Sequence, residues 1–264
     1  MPGRWASTRD ALRAEWTKAR TITSTTWLLV TSIVLNVALG AGVVAAVPYQ
    51  AGANQDPTKL ALTGIEVGQA LIVILAVLSI DGEYSTGMIC TTLTAIPRRT
   101  TVLAAKATLL TCLVFLAGAV AVLGSLLIGR LVLPGHGFTP VHGYAVLSLT
   151  NWLTLRAAVG SVLYLDLIAL LSLGIAAAVR DSAGSIGVVL GLLYLFPILT
   201  DLVTDPDWQR HLQQISPMTA GLAIQATTNL RGRPIGPWTG LGVLAAWAAA
   251  ALLAGGLLFR LRDA

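Results

Sequence analysis

Long apolar runs alternate with short polar stretches along the whole chain. Six runs are long enough to cross a bilayer: Trp27 to Val47, Leu60 to Ile80, Thr101 to Leu133, Ala157 to Val179, Ala183 to Val203, and Trp238 to Phe259. A span needs about 20 mainly apolar residues to cross a hydrocarbon core of about 30 Å. In lipid every backbone amide must be bonded within the segment, so these runs predict helices. The short alternating pattern of a membrane barrel is absent. The expected fold is an all-α integral membrane protein with six transmembrane helices, and without an internal repeat residues 1–264 read as a single transmembrane domain.

The polar stretches predict three further elements. Ahead of the first run, residues 7–22 read as an amphipathic interfacial helix. Ser7 and Asp10 have capping-box spacing, and Leu12, Trp16 and Ala19 share one face with Arg9, Arg13 and Arg20 beside it. Such a helix lies at the membrane surface, its tryptophan at headgroup level and its arginines near anionic lipid. Between the last two runs, residues 204–237 carry an apolar stretch, Pro217 to Ala226, flanked by Pro206, Pro234 and Pro237. It is expected to form a short re-entrant or interfacial helix, with a plain outer loop as the alternative. Pro197 should kink or break the fifth helix near its outer end. Gly118, Gly124, Gly184, Gly187, Gly191, Gly255 and Gly256 mark places where helices approach closely, within the bundle or at a subunit contact.

Composition sharpens this picture. Hydrophobic residues make up 55% of 264 positions and charged ones 11%, about half the share of a soluble domain. The net charge of +5 is unevenly placed: eleven of the seventeen Lys and Arg residues fall on the side of the N-terminus, including Arg98, Arg99, Lys106 and Arg180. The positive-inside rule then puts both termini in the cytoplasm. Excess of Arg over Lys, with abundant Ala and Gly, hints at a GC-rich bacterial genome, and the expected location is the bacterial cytoplasmic membrane, with the chain crossing it several times. No basic cluster is interleaved with aromatics, so nucleic acid is not an expected partner. Cys90 and Cys112 both fall away from the oxidising side, so no disulfide is expected. The first run is too long for a secretory signal, and residue 1 is read as the start of the mature chain.

Catalytic signatures are scarce. The chain has no GxxxxGK[ST] phosphate loop, no HExxH, no GxSxG and no paired-cysteine motif. His136, His142 and His211 read as solvated outer residues without a third ligand nearby, so no metal site is expected. Asp166 falls near the centre of the fourth run, where a carboxylate costs at least about 2.5 kcal/mol. It is either part of a substrate path or gate, or a protonated or hydrogen-bonded packing residue. Glu66 and Gln69 lie one turn apart in the outer half of the second run and should share a face. They line either a substrate path or a wet vestibule.

The polar island DGEYSTGMICTTLTAIPRR, Asp81 to Arg99, separates the second and third runs. Asp81 and Glu83 follow the apolar run directly, then come Gly87, a threonine-rich stretch, Pro97 and the pair Arg98 and Arg99. This order resembles the link after the second span of ABC type-2 transporter permeases. Glu83, Tyr84, Thr86 and Gly87 match an E-Y-x-T-G pattern of actinobacterial members, and Pro97, Arg98, Arg99 and Lys106 match a P-R-R followed by lysine; Ser85, Met88 and Cys90 depart from it. The stretch LRAEWTKARTITSTTW, with Glu15, Trp16 and Lys18, resembles the connecting helix that leads into the first span.

The resemblance implies an exporter subunit that pairs with a second permease copy and with two copies of a separate ATPase. ATP and Mg would be bound by that partner; this chain would hold no cofactor and no catalytic residue. Residues 81–100, with Asp81, Glu83, Tyr84, Thr86, Gly87, Pro97, Arg98 and Arg99, would form the coupling segment touching the ATPase. The second and fifth spans would line the central route, making Glu66, Gln69 and Asp166 candidates for the path of an amphipathic or hydrophobic cargo such as a drug, antibiotic peptide or lipid. Without the resemblance, Arg98 and Arg99 are membrane anchors and Glu83 caps a helix. An intramembrane enzyme and a non-transport sensor or assembly subunit remain the rival classes.

Overall fold

The computed structural model of the chain describes residues 12, 13, 15–17, 20, 21, 23–50, 55–85, 99–144 and 146–261; of residues 81–85, 99, 100, 201, 231, 259 and 260 it describes the backbone alone. Six helical stretches are long and apolar enough to cross a membrane, and the described residues contain no strand. The first span is α1, Thr23–Ala46. The second joins α2, Pro57–Leu62, to α3, Gly64–Ser85, and the third is α4, Arg99–Val132. The fourth is α5, Trp152–Val179. The fifth runs through α6, Ser182–Leu190, a π turn at Gly191–Leu195, and α7, Phe196–Leu202. Two short helices follow, α8 at Pro206–Ile215 and α9 at Pro217–Leu222, before the sixth span, α10, Pro237–Leu261.

Side-chain caps set several of the boundaries. Asp56 accepts a hydrogen bond from Lys59 N at 3.2 Å and opens α2 with Pro57 at its first position, three residues ahead of the expected start. Asn151 accepts from Leu153 N at 2.9 Å and starts α5 five residues earlier than its apolar run. Arg180 closes α5 in the left-handed conformation, φ +61°, and Asp181 immediately caps α6 by accepting from Gly184 N at 2.6 Å. Two residues therefore suffice to reverse the chain.

Helix α5 is the central post, with eighteen buried residues. Its approach to its neighbours depends on glycine. A Cβ on Gly174 would lie 2.5 Å from the Ala251 and Leu252 backbone of α10, and one on Gly255 would lie 2.2 Å from the Gly174 carbonyl. The expected close approach at Gly255 is thus present, and Gly124 is tight against Val37 at 3.0 Å. Gly118 is near Leu165 at 3.3 Å, whereas Gly256 makes only ordinary contact. In the fifth span the expectation of internal packing fails: Cβ atoms on Gly187 and Gly191 would meet nothing within 4 Å, and Gly184 faces its own cap. A pair not anticipated, Gly64 and Gly68, lets α3 press onto Asn36 of α1.

Many large apolar side chains face outward. Val34, Leu116, Leu127, Leu131 and Leu253 are all more than half exposed. A helix apolar on every side belongs in lipid. Exposed Trp27, Trp152 and Trp238 stand at span ends, where indole rings favour the headgroup region.

The segment before α10, where a re-entrant or interfacial piece is expected, forms short helices. Helix α8 stays exposed, while α9 and the 3₁₀ turn Ala223–Gln225 are buried against α5 and α10. A Cβ on Gly160 would strike Ile224 at 2.0 Å, so α5 is notched to admit it. Pro197 occupies the first turn of α7, and the irregularity it causes is the π turn just before it. Gly174→Ala should therefore cost about 1–3 kcal/mol through overpacking, whereas Gly187→Ala should be neutral. Thermal unfolding of the two purified variants in detergent checks this contrast.

Candidate functional site

Polar side chains gather at both ends of the bundle. At the end away from the N-terminal helix, Gln69 of α3 is fully buried. The Tyr164 hydroxyl donates to Gln69 Oε1, and Gln69 Nε2 donates to the Glu66 carbonyl at 2.9 Å while resting 3.3 Å from Met218 Sδ. Tyr194, in the π turn, donates to the same carbonyl at 2.6 Å. The extra residue of a π turn shifts side chains around the helix, which accounts for a tyrosine aimed inward here. One chain of bonds thus joins the second, fourth and fifth spans and α9.

Beside it Asp56 gathers the loop that leaves the re-entrant piece. It accepts from Thr227 N and Thr227 Oγ1, each at 2.6 Å, and from Thr228 N at 3.1 Å. The Arg156 guanidinium donates to the Ala226 carbonyl one residue earlier. Next to these bonds opens a pocket of about 340 Å³, with Lys59, Glu66, Gln213 and Arg233 among its polar lining and Met218 and Leu222 among its apolar lining.

At the N-terminal end, Lys106 of α4 is buried. Its Nζ donates to Glu15 Oε2 at 2.9 Å and to the Ser79 carbonyl of α3 at 2.9 Å. The described residues between 12 and 21 are helical, so one ammonium ties this helix to both spans that flank residues 86–98. The burial adds a contact not singled out in the sequence: Glu15 points into the protein, while Trp16 is half exposed. In lipid an apolar residue can face outward, while a charge must find a partner inside.

The remaining predicted residues fall as follows. Asp81, Glu83 and Tyr84 continue α3 beyond the apolar run to Ser85, and Arg99 begins α4, with backbone alone described for all four. Lys18, Thr86, Gly87, Pro97 and Arg98 lie outside the described residues, as do Ser7, Asp10 and Cys90. Glu66 is half-buried at the pocket, whereas Gln69 is turned into the bundle and does not line it. Asp166 is buried midway along α5, with Oδ1 sealed from solvent and without a hydrogen-bond partner. It lies two residues, about 200° of helix rotation, from Tyr164, so it faces away from the Gln69 network. His142 stacks on Tyr49 with ring centroids 4.4 Å apart, and the described residues hold no cluster of three metal-ligating groups.

A scan of protein-family models and a search of curated proteins give no match to this chain.

Tyr164, Tyr194, Asp56, Arg156 and Arg233 were not singled out in the sequence. Asp56 had a signal, an Asp-Pro pair at a helix start; the tyrosines had none beyond a hydroxyl inside an apolar run. Lys106→Met should leave Glu15 buried without its cation, cost about 3–5 kcal/mol and free the N-terminal helix; Glu15→Gln in the same chain should recover part of the loss. Hydrogen exchange of residues 12–21 reads both outcomes. Asp166→Asn, which removes a possible charge in lipid, should insert at the wild-type level in a membrane-fraction assay.

Proposed function

We propose that this chain is the membrane permease subunit of an ATP-driven exporter of the ABC type-2 kind. It works with a second permease copy and two copies of a separate ATPase that binds ATP and Mg. The observation that carries this reading is the α3–α4 hairpin: two spans extended past the apolar run, joined by the polar segment 81–99, and tied at their base to the N-terminal helix through Lys106 and Glu15. Residues 81–85 continue α3 and Arg99 begins α4, so a push on these residues would move the spans themselves.

Two features support a transport subunit. Ala183, Gly187 and Gly191 recur every four residues on an open side of the fifth span, a stripe that suits a close helix contact with a second copy. Glu66 at the pocket and Asp166 on the opposite side of α5 do not converge, which counts against an intramembrane enzyme. The pocket would then lie on the outer side of the bacterial cytoplasmic membrane, with both termini and residues 81–99 in the cytoplasm.

Co-expression with candidate ATPase subunits and purification through a tag on this chain tests the reading. A two-plus-two assembly with vanadate-sensitive ATP hydrolysis in lipid discs is expected. Glu83→Ala should abolish coupled hydrolysis or assembly while the permease remains folded in the membrane. Purification of the chain alone with every candidate would remove the proposal's support.

A further inference from the structure

The pocket beside α9 carries charges without ion-pair partners among the described residues. Lys59 comes from α2, Glu66 from the start of α3, and Arg233 from the segment leading to α10. Among the described residues none of the three side chains has an ion-pair or hydrogen-bond partner, and Arg233 Nε is sealed from solvent without an acceptor. Charged groups left without partners at a cavity wall offer an incoming ligand charge-assisted hydrogen bonds. Two cations and one carboxylate thus surround one cavity, while Met218 and Leu222 supply an apolar wall.

From this we infer that the pocket binds the head of a zwitterionic amphipath. Its anionic group meets Arg233 and Lys59, its ammonium meets Glu66, and its apolar body rests on Met218 and Leu222. A guanidinium suits a carboxylate or phosphate because its planar donors pair with two oxygens at once. Methionine is flexible and adapts to apolar groups of different shape. A volume of about 340 Å³ holds a head and a short apolar body, at the small end of ligand sites. A purely cationic amphipath would bring like charge to Lys59 and Arg233, and a purely anionic one would bring it to Glu66. The site would serve as the exit-side cargo site of the proposed exporter, and only that role rests on the exporter reading.

The test uses the full chain in detergent without nucleotide or partner, so failure to assemble with an ATPase leaves it untouched. Binding is measured for three probes with the same single alkyl tail and a phosphoethanolamine, a phosphate or a primary amine head. The phosphoethanolamine probe should bind best, by about tenfold over the amine. Glu66→Gln should weaken the phosphoethanolamine probe about tenfold and leave the phosphate probe unchanged or tighter. Arg233→Met should weaken both and spare the amine. A hydrophobic tripeptide with free termini, run beside the phosphoethanolamine probe, tells a peptide from a lipid source by which binds more tightly. Affinity independent of the head group, or phosphoethanolamine binding unchanged in both variants, would overturn the inference.

Discussion

Lipid offers no hydrogen-bond partner, and the whole arrangement of this chain follows from that constraint. A polar group inside the spans is costly unless the protein serves it, and several of the bonds that do so join helices. Gln69 is met by Tyr164, the Glu66 carbonyl by Tyr194, and the Glu15 carboxylate by Lys106. In water these would be modest additions to a hydrophobic core. Here apolar contact alone gives helices little preference for one another over lipid, so close backbone approach and such bonds decide which faces meet.

The same constraint explains where the helices are permitted to break. The chain is irregular at Thr63, through the π turn at Gly191–Leu195, and around the re-entrant turn Ala223–Gln225. Each irregularity is compensated close by. Thr63 Oγ1 donates to the Lys59 carbonyl at 3.0 Å, Tyr194 leaves the π turn to bond α3, and the Ala226 carbonyl is taken by Arg156. The threonine amides that follow are gathered by Asp56. This buried non-helical stretch is held by charged side chains from two other elements.

Run length and hydropathy were enough to place all six spans, because crossing a bilayer is a demand on composition. The start of α2 moved to Pro57 because an Asp-Pro cap extends a helix beyond its apolar residues. In the described part of the N-terminal helix Trp16 is half exposed while Glu15 turns inward to Lys106, a contact 91 positions away that spacing within the helix could not show. Gln69 and Glu66 are linked as their three-residue spacing suggested, but through the Glu66 backbone, so their side chains part. Tyr164 and Gln69 stand 95 positions apart, and no periodicity within either helix could pair them.

Helix α3 connects the two polar ends. Glu66 and Gln69 stand near its start, Ser79 is held by Lys106 near its other end, and the helix continues to Ser85. From Gln69 to Ser85 is sixteen residues, about 24 Å of continuous helix at 1.5 Å per residue. A helix of that length moves as a rod, so tilting at the Ser85 end displaces Glu66 and the Gln69 network together. The Tyr164, Tyr194 and Met218 contacts at one end and the Lys106 contact at the other are what such a rod must slide against or carry with it. Because Asp56 fastens the start of the second span to Thr227, α9 would travel with α3 rather than part from it. The pocket walls contributed by Glu66, Met218 and Leu222 would then shift as one body, leaving α7 and the Arg233 segment as the side against which the cavity widens or narrows.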